Sequence, residues 1–334
     1  MSRVLNQLYR ELLLTVSYSA QFGYPLTVGE LVLRKITRAS SLSQSLPKEL
    51  QTQIQAADLP TVNLTSSTQV LFQRSLWLRM LVQFINLGHV EYLGGYIFLR
   101  GRQHTVATRT RRKKTTAAKF AELEPLISIL RKLPGIAGVA VTGSAAVFNA
   151  DTDDDVDIMI ITEAHRLWLL RPLIVFIAFI YGKRRTWYRE EKNSWCFNLW
   201  LERSSLAQPA AAHSLYVAYE VCQAKWLIDV SGCKQSFLRQ NSWVQRYIPA
   251  YYSWCKNQPV VYPVAQDAQS LPYWPILAEL LSLCNYAAYV VQRGYMARHM
   301  TRERVSLHTA FFHPRDTGML VAARHHAVVS ELSA

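Results

Sequence analysis

The chain has 334 residues, of which 50% are hydrophobic and 11% aromatic, and only 18% are charged. This composition excludes a disordered polyelectrolyte and provides enough apolar material for two or three folded domains. The formal net charge of +14 favours anionic partners, such as nucleic acid, nucleotides or an anionic membrane surface. The five cysteines are widely spaced and form no C-x-x-C pair, which indicates reduced thiols in a cytoplasmic protein rather than a zinc site.

The first 104 residues are predicted to begin with two helices. Apolar side chains recur at helical spacing in the first of them, at Leu5, Leu8, Leu12 and Val16. The next four-residue run, Thr-Val-Gly-Glu at 27–30, has the form of a capping box and predicts a second helix.

The same region is predicted to end in a hairpin. A loosely structured stretch over 38–66 leads to a third predicted helix over 67–86. Two short strands around a Gly-Gly turn are then predicted over 89–99. Three helices closed by a hairpin follow the order of a winged helix–turn–helix, so we predict a winged-helix-like domain over 1–104.

A basic stretch over 100–119 follows this domain and is predicted to continue as a helix. It offers DNA or RNA a phosphate-contacting surface beside the winged-helix-like region, and the alternative is a solvated linker and helix face. Its cationic residues are Arg100, Arg102, Arg109, Arg111, Arg112, Lys113, Lys114 and Lys119.

Residues 105–252 are predicted to form a small α/β domain with a mixed sheet. Strands are predicted over 136–141, 155–161 and 194–201, with a helix over 163–180 between the last two. The apolar run 172–181 is shorter than the roughly 18 residues that span a bilayer, so it is predicted to be a buried helix and no membrane span is expected. The last part, 253–334, is predicted to be a helical C-terminal region.

Two acidic residues stand at the start of the second predicted strand. Asp155 and Asp157 are two apart, so both carboxylates project to the same face of a strand. Magnesium prefers oxygen ligands and uses one or two protein carboxylates together with substrate phosphates. Just upstream, Gly143 allows the backbone to approach a phosphate, and Ser144 offers a hydroxyl near a helix start. These residues predict a site for magnesium and a nucleoside triphosphate.

Two other interpretations of the acidic run 151–157 are weaker. A calcium loop needs Gly at its sixth position and Glu at its twelfth, and here these positions hold Val156 and Thr162. A solvated acidic turn does not explain why the aspartates continue directly into the apolar run 158–161, nor why Gly-Ser precedes them.

The order Val-Thr-Gly-Ser at 141–144 and Asp-Asp-Val-Asp-Ile at 154–158 resembles the signature of the DNA polymerase beta-type nucleotidyltransferase superfamily. The chain also resembles bacterial proteins in which a winged-helix-like region precedes such a domain. The resemblance implies that Asp155 and Asp157 bind Mg²⁺ and that Gly143 and Ser144 hold the nucleoside triphosphate. The implied reaction transfers a nucleoside monophosphate to a hydroxyl of a nucleic acid, protein or small molecule and releases pyrophosphate.

The third catalytic carboxylate of that superfamily, which lies on a later strand, is not obvious in this sequence. Asn198 stands at the expected place, and Glu202 at the end of the same predicted strand is the alternative. Members of the superfamily also have a cation shortly after Gly-Ser, where this chain is apolar. Arg171 is a candidate to supply that charge, together with Arg166, Lys183, Arg184 and Lys192.

Two functions therefore remain open at the level of sequence. The first is a magnesium-dependent nucleotidyltransferase. The second is a DNA-binding regulator whose nucleotidyltransferase domain has lost its third acid and only senses nucleotide. The basic stretch from Arg100 to Lys114 and the predicted wing at Tyr92–Tyr96 motivate the second function.

Overall fold

The computed structural model describes residues 3–37, 82–184, 192–264, 275–298, 300, 303–312 and 317–331. The stretch 38–66 and most of the predicted third helix lie outside them. The strands are, in chain order, β1 Leu26–Thr27, β2 Val90–Leu93, β3 Tyr96–Leu99, β4 Ile136–Val141, β5 Val156–Thr162, β6 Trp195–Glu202, β7 Lys225–Val230, β8 Tyr262–Val264, β9 Arg304–Val305 and β10 Thr309–Phe311.

Residues 82–86 are helical as well. The helices with described bounds are α1 Arg3–Ala20, α2 Val28–Leu33, α3 His104–Leu130, α4 Gly143–Ala146, α5 Leu167–Ile180, α6 Leu215–Gln223, α7 Cys233–Gln240, α8 Pro249–Lys256, α9 Pro275–Met296 and α10 Thr317–Glu331.

The chain divides into two compact units. The smaller unit comprises Met1–Arg111, Gln245–Trp254 and Met319–Ala334, and the larger comprises Arg112–Val244 and Cys255–Gly318. The division drawn from the sequence, at 104 and 252, was simpler. In the structure the last third of the chain contributes to both units, and α3 begins in one unit and ends in the other.

The smaller unit contains a three-stranded antiparallel sheet in the order β1-β3-β2. The predicted hairpin is confirmed, because β2 and β3 are joined by Gly94 and Gly95, both at positive φ, as a tight hairpin turn requires. The predicted capping box is also confirmed. The Thr27 hydroxyl accepts from the Glu30 amide at 3.2 Å, and the Glu30 carboxylate accepts from the Thr27 amide at 2.9 Å.

The larger unit is built on a seven-stranded mixed sheet in the order β8-β7-β4-β5-β6-β10-β9. β4 is antiparallel to β5 and β7, whereas β5 and β6 are parallel. The three strands predicted from apolar runs are therefore adjacent members of one sheet. They are buried along nearly their whole length, which explains why their sequences are continuously apolar rather than alternating.

Helices α3 and α5 supply much of the core around this sheet. Leu126 and Leu130 of α3 and Trp168 and Ile174 of α5 are fully buried in one hydrophobic cluster with strand residues. The prediction that 172–181 is a buried helix is only half right. One side of α5 is buried, but Phe176, Phe179 and other large apolar residues on its other side are exposed.

Residues 253–334, which are predicted as a helical C-terminal region, also contain the short strands β8, β9 and β10. β8 adds to β7, and β10 and β9 add to β6, so this region extends both edges of the large sheet. These strands have only two or three residues each, which is too short for a recognisable alternation. Among the described residues, no helix combines the length and the apolar character that crossing a membrane would need.

Candidate functional site

The end of β4 and the start of β5 lie side by side. Because these strands are antiparallel, Val141 pairs with Ile158, and the Thr142 amide donates to the Asp157 carbonyl at 2.9 Å. The Gly-Ser turn that follows β4 is thereby placed next to the aspartate that begins β5. The sheet therefore brings together two motifs that lie more than ten residues apart in the sequence.

Gly143 makes an unusually close approach to Asp157. Its φ is +62°, a conformation that favours glycine, and a Cβ added there would fall 2.5 Å from Asp157 Oδ2. Any other residue would have to displace the carboxylate. The sequence predicts that this glycine makes room for a phosphate. In the structure it makes room for Asp157.

Asp157 is held from the other side by Asn198. The Asn198 side-chain amide donates to Asp157 Oδ1, and Asn198 itself is buried. An irregularity in the parallel pairing produces this contact. Asp157 pairs with Cys196 and Met159 pairs with Leu199, so β6 has one residue more than β5 over this interval. The bulge places Asn198 against the carboxylate, and this residue, chosen from the sequence, does lie at the site.

Asp155 lies one residue before β5 and is held by Ser194, the residue before β6. Its Oδ1 accepts from the amide of Ser194 at 2.9 Å and from the Ser194 hydroxyl at 2.7 Å. Val156, between the two aspartates, is buried, whereas both aspartates are only partly buried. This alternation is the one expected if both carboxylates lie on the same side of the strand.

Ser144 contacts the acidic loop rather than either of these aspartates. Its hydroxyl lies 3.4 Å from Asp154 Oδ2, a long hydrogen bond. The loop is fixed by Lys119, whose ammonium donates to the carbonyls of Thr152 and Asp154 at 2.9 and 2.7 Å. Lys119 is only 3% exposed and burial lowers its pKa, so this member of the predicted phosphate-contacting stretch is a structural cation.

Glu220, on α6, is a member of the site that the sequence analysis missed. Its Oε2 accepts a hydrogen bond from the Gly143 amide at 3.2 Å, and its Oε1 accepts from Gln223 at 2.5 Å. Burial, and secondly the negative charge of Asp157, raise the pKa of Glu220 to about 7. Burial, and secondly the negative charges of Glu220 and Asp157, raise the pKa of Tyr216. The available signal was a lone acid in the apolar run of α6.

Glu202, the alternative third carboxylate, is not brought to this site. Parallel strands start at the same edge of a sheet, and Glu202 pairs with Thr162 at the far end of β5. Five residues at roughly 3.3 Å each separate Thr162 from Asp157, about 16 Å along the strand. There, fully buried, Glu202 accepts from the His165 amide at 3.0 Å and contacts His308 Nδ1 at 2.8 Å.

Arg171, the candidate for phosphate charge, makes its described contacts with Gln292 and Phe312 rather than with Asp155 or Asp157. Its guanidinium donates to Gln292 of α9 at 3.0 Å and stacks over Phe312, and burial lowers its pKa to about 10. Of the other candidate cations, Lys183 pairs with Glu122 at 2.5 Å and Lys192 with Asp153 at 2.6 Å. Arg171, Lys183 and Lys192 therefore serve helix packing or ion pairs in the structure.

The donor set is consistent with magnesium but not with a metal cage made by the protein alone. Within the described ranges, no group of three or more His, Cys, Asp and Glu side chains could hold a metal ion. Magnesium needs only one or two carboxylates when phosphates complete its shell. The mutual repulsion of Asp157 and Glu220, visible in the raised pKa of Glu220, is also what a bound cation would relieve.

The chain was compared with protein-family models, with curated proteins and with solved structures, and none of the three comparisons gave a match.

Proposed function

We propose that this protein is a magnesium-dependent nucleotidyltransferase, which transfers a nucleoside monophosphate from a nucleoside triphosphate to a hydroxyl and releases pyrophosphate. The observation that carries the proposal is the contact between the Gly143 turn and Asp157. A left-handed glycine at the end of one strand is packed against an aspartate at the start of the next. A solvated acidic turn would not require that arrangement.

The topology around the contact supports the same proposal. The resemblance noted in the sequence implies a Gly-Ser turn and an Asp-x-Asp strand that face each other in a mixed sheet. The antiparallel pairing of β4 with β5 and the parallel pairing of β5 with β6 are compatible with that implication.

In the proposed site, Asp155 and Asp157 hold magnesium, and their orientation is set by Ser194 and Asn198. When bound, magnesium neutralises charge on the attacking and leaving oxygens. Asn198 acts as a positioning residue, because it touches Asp157 and fixes its rotamer. Ser144 offers its hydroxyl to the triphosphate, and Gly143 provides the close turn.

Glu220 is the carboxylate that we assign to the third position, in place of Asn198 or Glu202. A pKa of about 7 suits a general base near neutral pH. In this assignment the acceptor hydroxyl gives its proton to Glu220 while its oxygen forms a bond to the α-phosphorus. The bond between that phosphorus and the pyrophosphate oxygen breaks, and pyrophosphate leaves with the electron pair.

The test is incubation of the protein with magnesium and each α-labelled nucleoside triphosphate, with label followed on protein, RNA and small molecules. We expect Asp157→Ala to lower transfer by roughly 100-fold or more, since even a supporting residue of a metal site typically accounts for 10–100-fold. Asp153→Ala is the matched control, because Asp153 is exposed and paired with Lys192. Transfer by Asp157→Ala at the wild-type rate would remove the proposal.

A second candidate function is binding of DNA. In the smaller unit the tip of the β2–β3 hairpin exposes Tyr92 and Leu93, as a strand hairpin that enters a groove would. Separately, α3 exposes Arg111, Lys113 and Lys114. These observations support a DNA-binding regulator that senses nucleotide, and salt-dependent binding is the measurement that tests it.

A further inference from the structure

The side of α9 that faces away from the sheet is apolar and exposed. Ile276 and Leu283 are 83% and 66% exposed, and Leu280 and Val290 are also exposed. The opposite side of the helix carries Asn285, Tyr289 and Met296, all buried against the larger unit. A helix with a contiguous exposed apolar stripe of this size is characteristic of an interaction surface.

The exposed stripe has the spacing of a coiled-coil seam. Its positions alternate by four and three residues from 276 to 294: Ile276, Leu280, Leu283, Ala287, Val290 and Gly294. With Leu280 at position a, Leu283 falls at d, and the small residues Ala287 and Gly294 also fall at a. Small residues in a seam leave room for the knobs of a facing helix. The surface therefore fits another helix better than an irregular segment or a flat surface.

A neighbouring helix in the same unit also carries exposed apolar residues. α5 packs against α9, and Leu173, Phe176 and Ile180 of α5 are exposed at spacings of three and four. Both helices belong to the larger unit, so the patch lies within one compact body. Two adjacent helices with exposed apolar stripes have the form of one half of a four-helix bundle.

We propose that this face binds a second copy of the chain, with the two α9 helices packed antiparallel about a two-fold axis. A two-fold interface uses the same patch on both copies, so the patch must be complementary to itself. In the antiparallel register, Leu283 packs opposite Ala287 of the second copy and Leu280 packs opposite Val290 of the second copy. Large residues then face small or branched ones in successive layers.

The charges beside the seam favour a second copy of the chain and an antiparallel arrangement of the two helices. Glu279 and Arg293 are both exposed, both fall at position g of the heptad, and carry opposite charges. Antiparallel helices place g positions of the two copies next to each other, so each Glu279 meets Arg293 of the second copy. Parallel helices would pair g with e, which here offers no charged partner. A surface for anionic lipid would carry cations alone at its edge, and Glu279 contradicts that.

The same register predicts where Cys284 lies in the dimer. This residue is the exposed one of the five cysteines, and the other four are buried. It falls at position e, close to the centre of the seam, and the two-fold axis brings it beside Cys284 of the second copy. A short thiol-specific bismaleimide should therefore link the two copies through this residue. Cys284→Ser should abolish the link.

Sedimentation equilibrium on the full-length chain tests the proposal directly. We expect a reversible dimer for the wild-type protein. Leu283→Glu should raise the dimer dissociation constant by about 100-fold or more, because a charge replaces a seam leucine twice in each dimer. Met319→Glu is the matched control, because it makes the same change at an exposed apolar residue of α10. Unchanged thermal unfolding would show that both variants fold.

The charge pair distinguishes the antiparallel dimer from any other contact. Glu279→Arg and Arg293→Glu should each weaken the dimer by about two- to tenfold, and the double variant should recover wild-type affinity. A monomeric wild-type protein, including one that binds anionic vesicles as a monomer, would overturn the proposal. So would a dimer that is insensitive to Leu283→Glu, a double variant without recovery, or failure of the Cys284 link in a dimeric sample.

Discussion

The backbone amide of Gly143 donates a hydrogen bond to the carboxylate of Glu220, with 3.2 Å between the nitrogen and Oε2. This contact joins the turn after β4 to a helix more than seventy residues later. It also brings a second carboxylate towards Asp157, whose charge contributes to the raised pKa of Glu220. The site therefore contains one more carboxylate, that of Glu220, than the Asp-x-Asp motif supplies.

The raised pKa of Glu220 predicts a pH dependence of stability. Its ordinary pKa is 4.5 and its folded value is about 7, so the folded protein retains a proton that the unfolded chain releases between these values. The contribution of Glu220 to stability is fully present below about pH 4.5 and is lost as the pH rises to about 7, by at most about 3 kcal/mol. We expect Glu220→Gln, which cannot ionise, to unfold at a higher temperature than wild type at about pH 8.

That advantage should disappear at about pH 4, which lies below the pKa of Glu220 in both the folded and the unfolded protein. The measurement is thermal unfolding of both proteins at the two pH values in magnesium-free buffer. An identical difference in melting temperature at both pH values would contradict the assigned direction.

Asn198 is predicted to increase the magnesium affinity of the site by positioning Asp157. Because its amide fixes the carboxylate, Asn198→Ala should lower the apparent magnesium affinity of nucleotide transfer by about 10–100-fold. A magnesium titration of the transfer rate measures this effect, and thermal unfolding of the variant separates it from a loss of folded protein. A rate that is lower by the same factor at every magnesium concentration would show that Asn198 does not act on the metal.

Glu202 is predicted to matter for folding rather than for transfer. It is buried at the far end of β5 and β6, where it bonds to His165 and His308. Glu202→Gln should reduce the free energy of unfolding by about 1.5–3 kcal/mol, the usual range for a hydrogen bond to a charged group. Its transfer rate per folded molecule should stay near that of wild type. A loss of transfer in fully folded protein would indicate that Glu202 is catalytic and would contradict this prediction.

If the protein binds DNA, the exposed lysines of α3 should contribute to it. The double variant Lys113→Gln, Lys114→Gln should weaken binding to a DNA duplex and reduce the slope of log affinity against log salt by about 1.8, since each phosphate contact contributes roughly 0.9. Arg324→Gln, at an exposed position of α10, is the control. Binding that does not depend on salt, or an unchanged slope in the double variant, would argue against DNA as a partner of this helix.

Several features could be predicted from the sequence because they depend on neighbouring residues. The capping box of α2 and the Gly94–Gly95 hairpin are short-range patterns, and both are confirmed. The strands around Gly143 and Asp157 were also predictable, because continuous apolar runs are typical of strands buried on both faces. The close contact between the two motifs follows once these strands are antiparallel neighbours.

The tertiary structure alone decided which distant residues join that contact. The alternation of β6 favoured Glu202, but the parallel direction of β5 and β6 places it at the opposite end of the sheet. Arg171 and Lys119 were chosen for their charge, and packing buries both of them in structural roles. Glu220 belongs to no recognisable sequence motif. A sequence shows which residues can form a turn or a strand, but strand direction and helix packing determine which side chains meet across the fold.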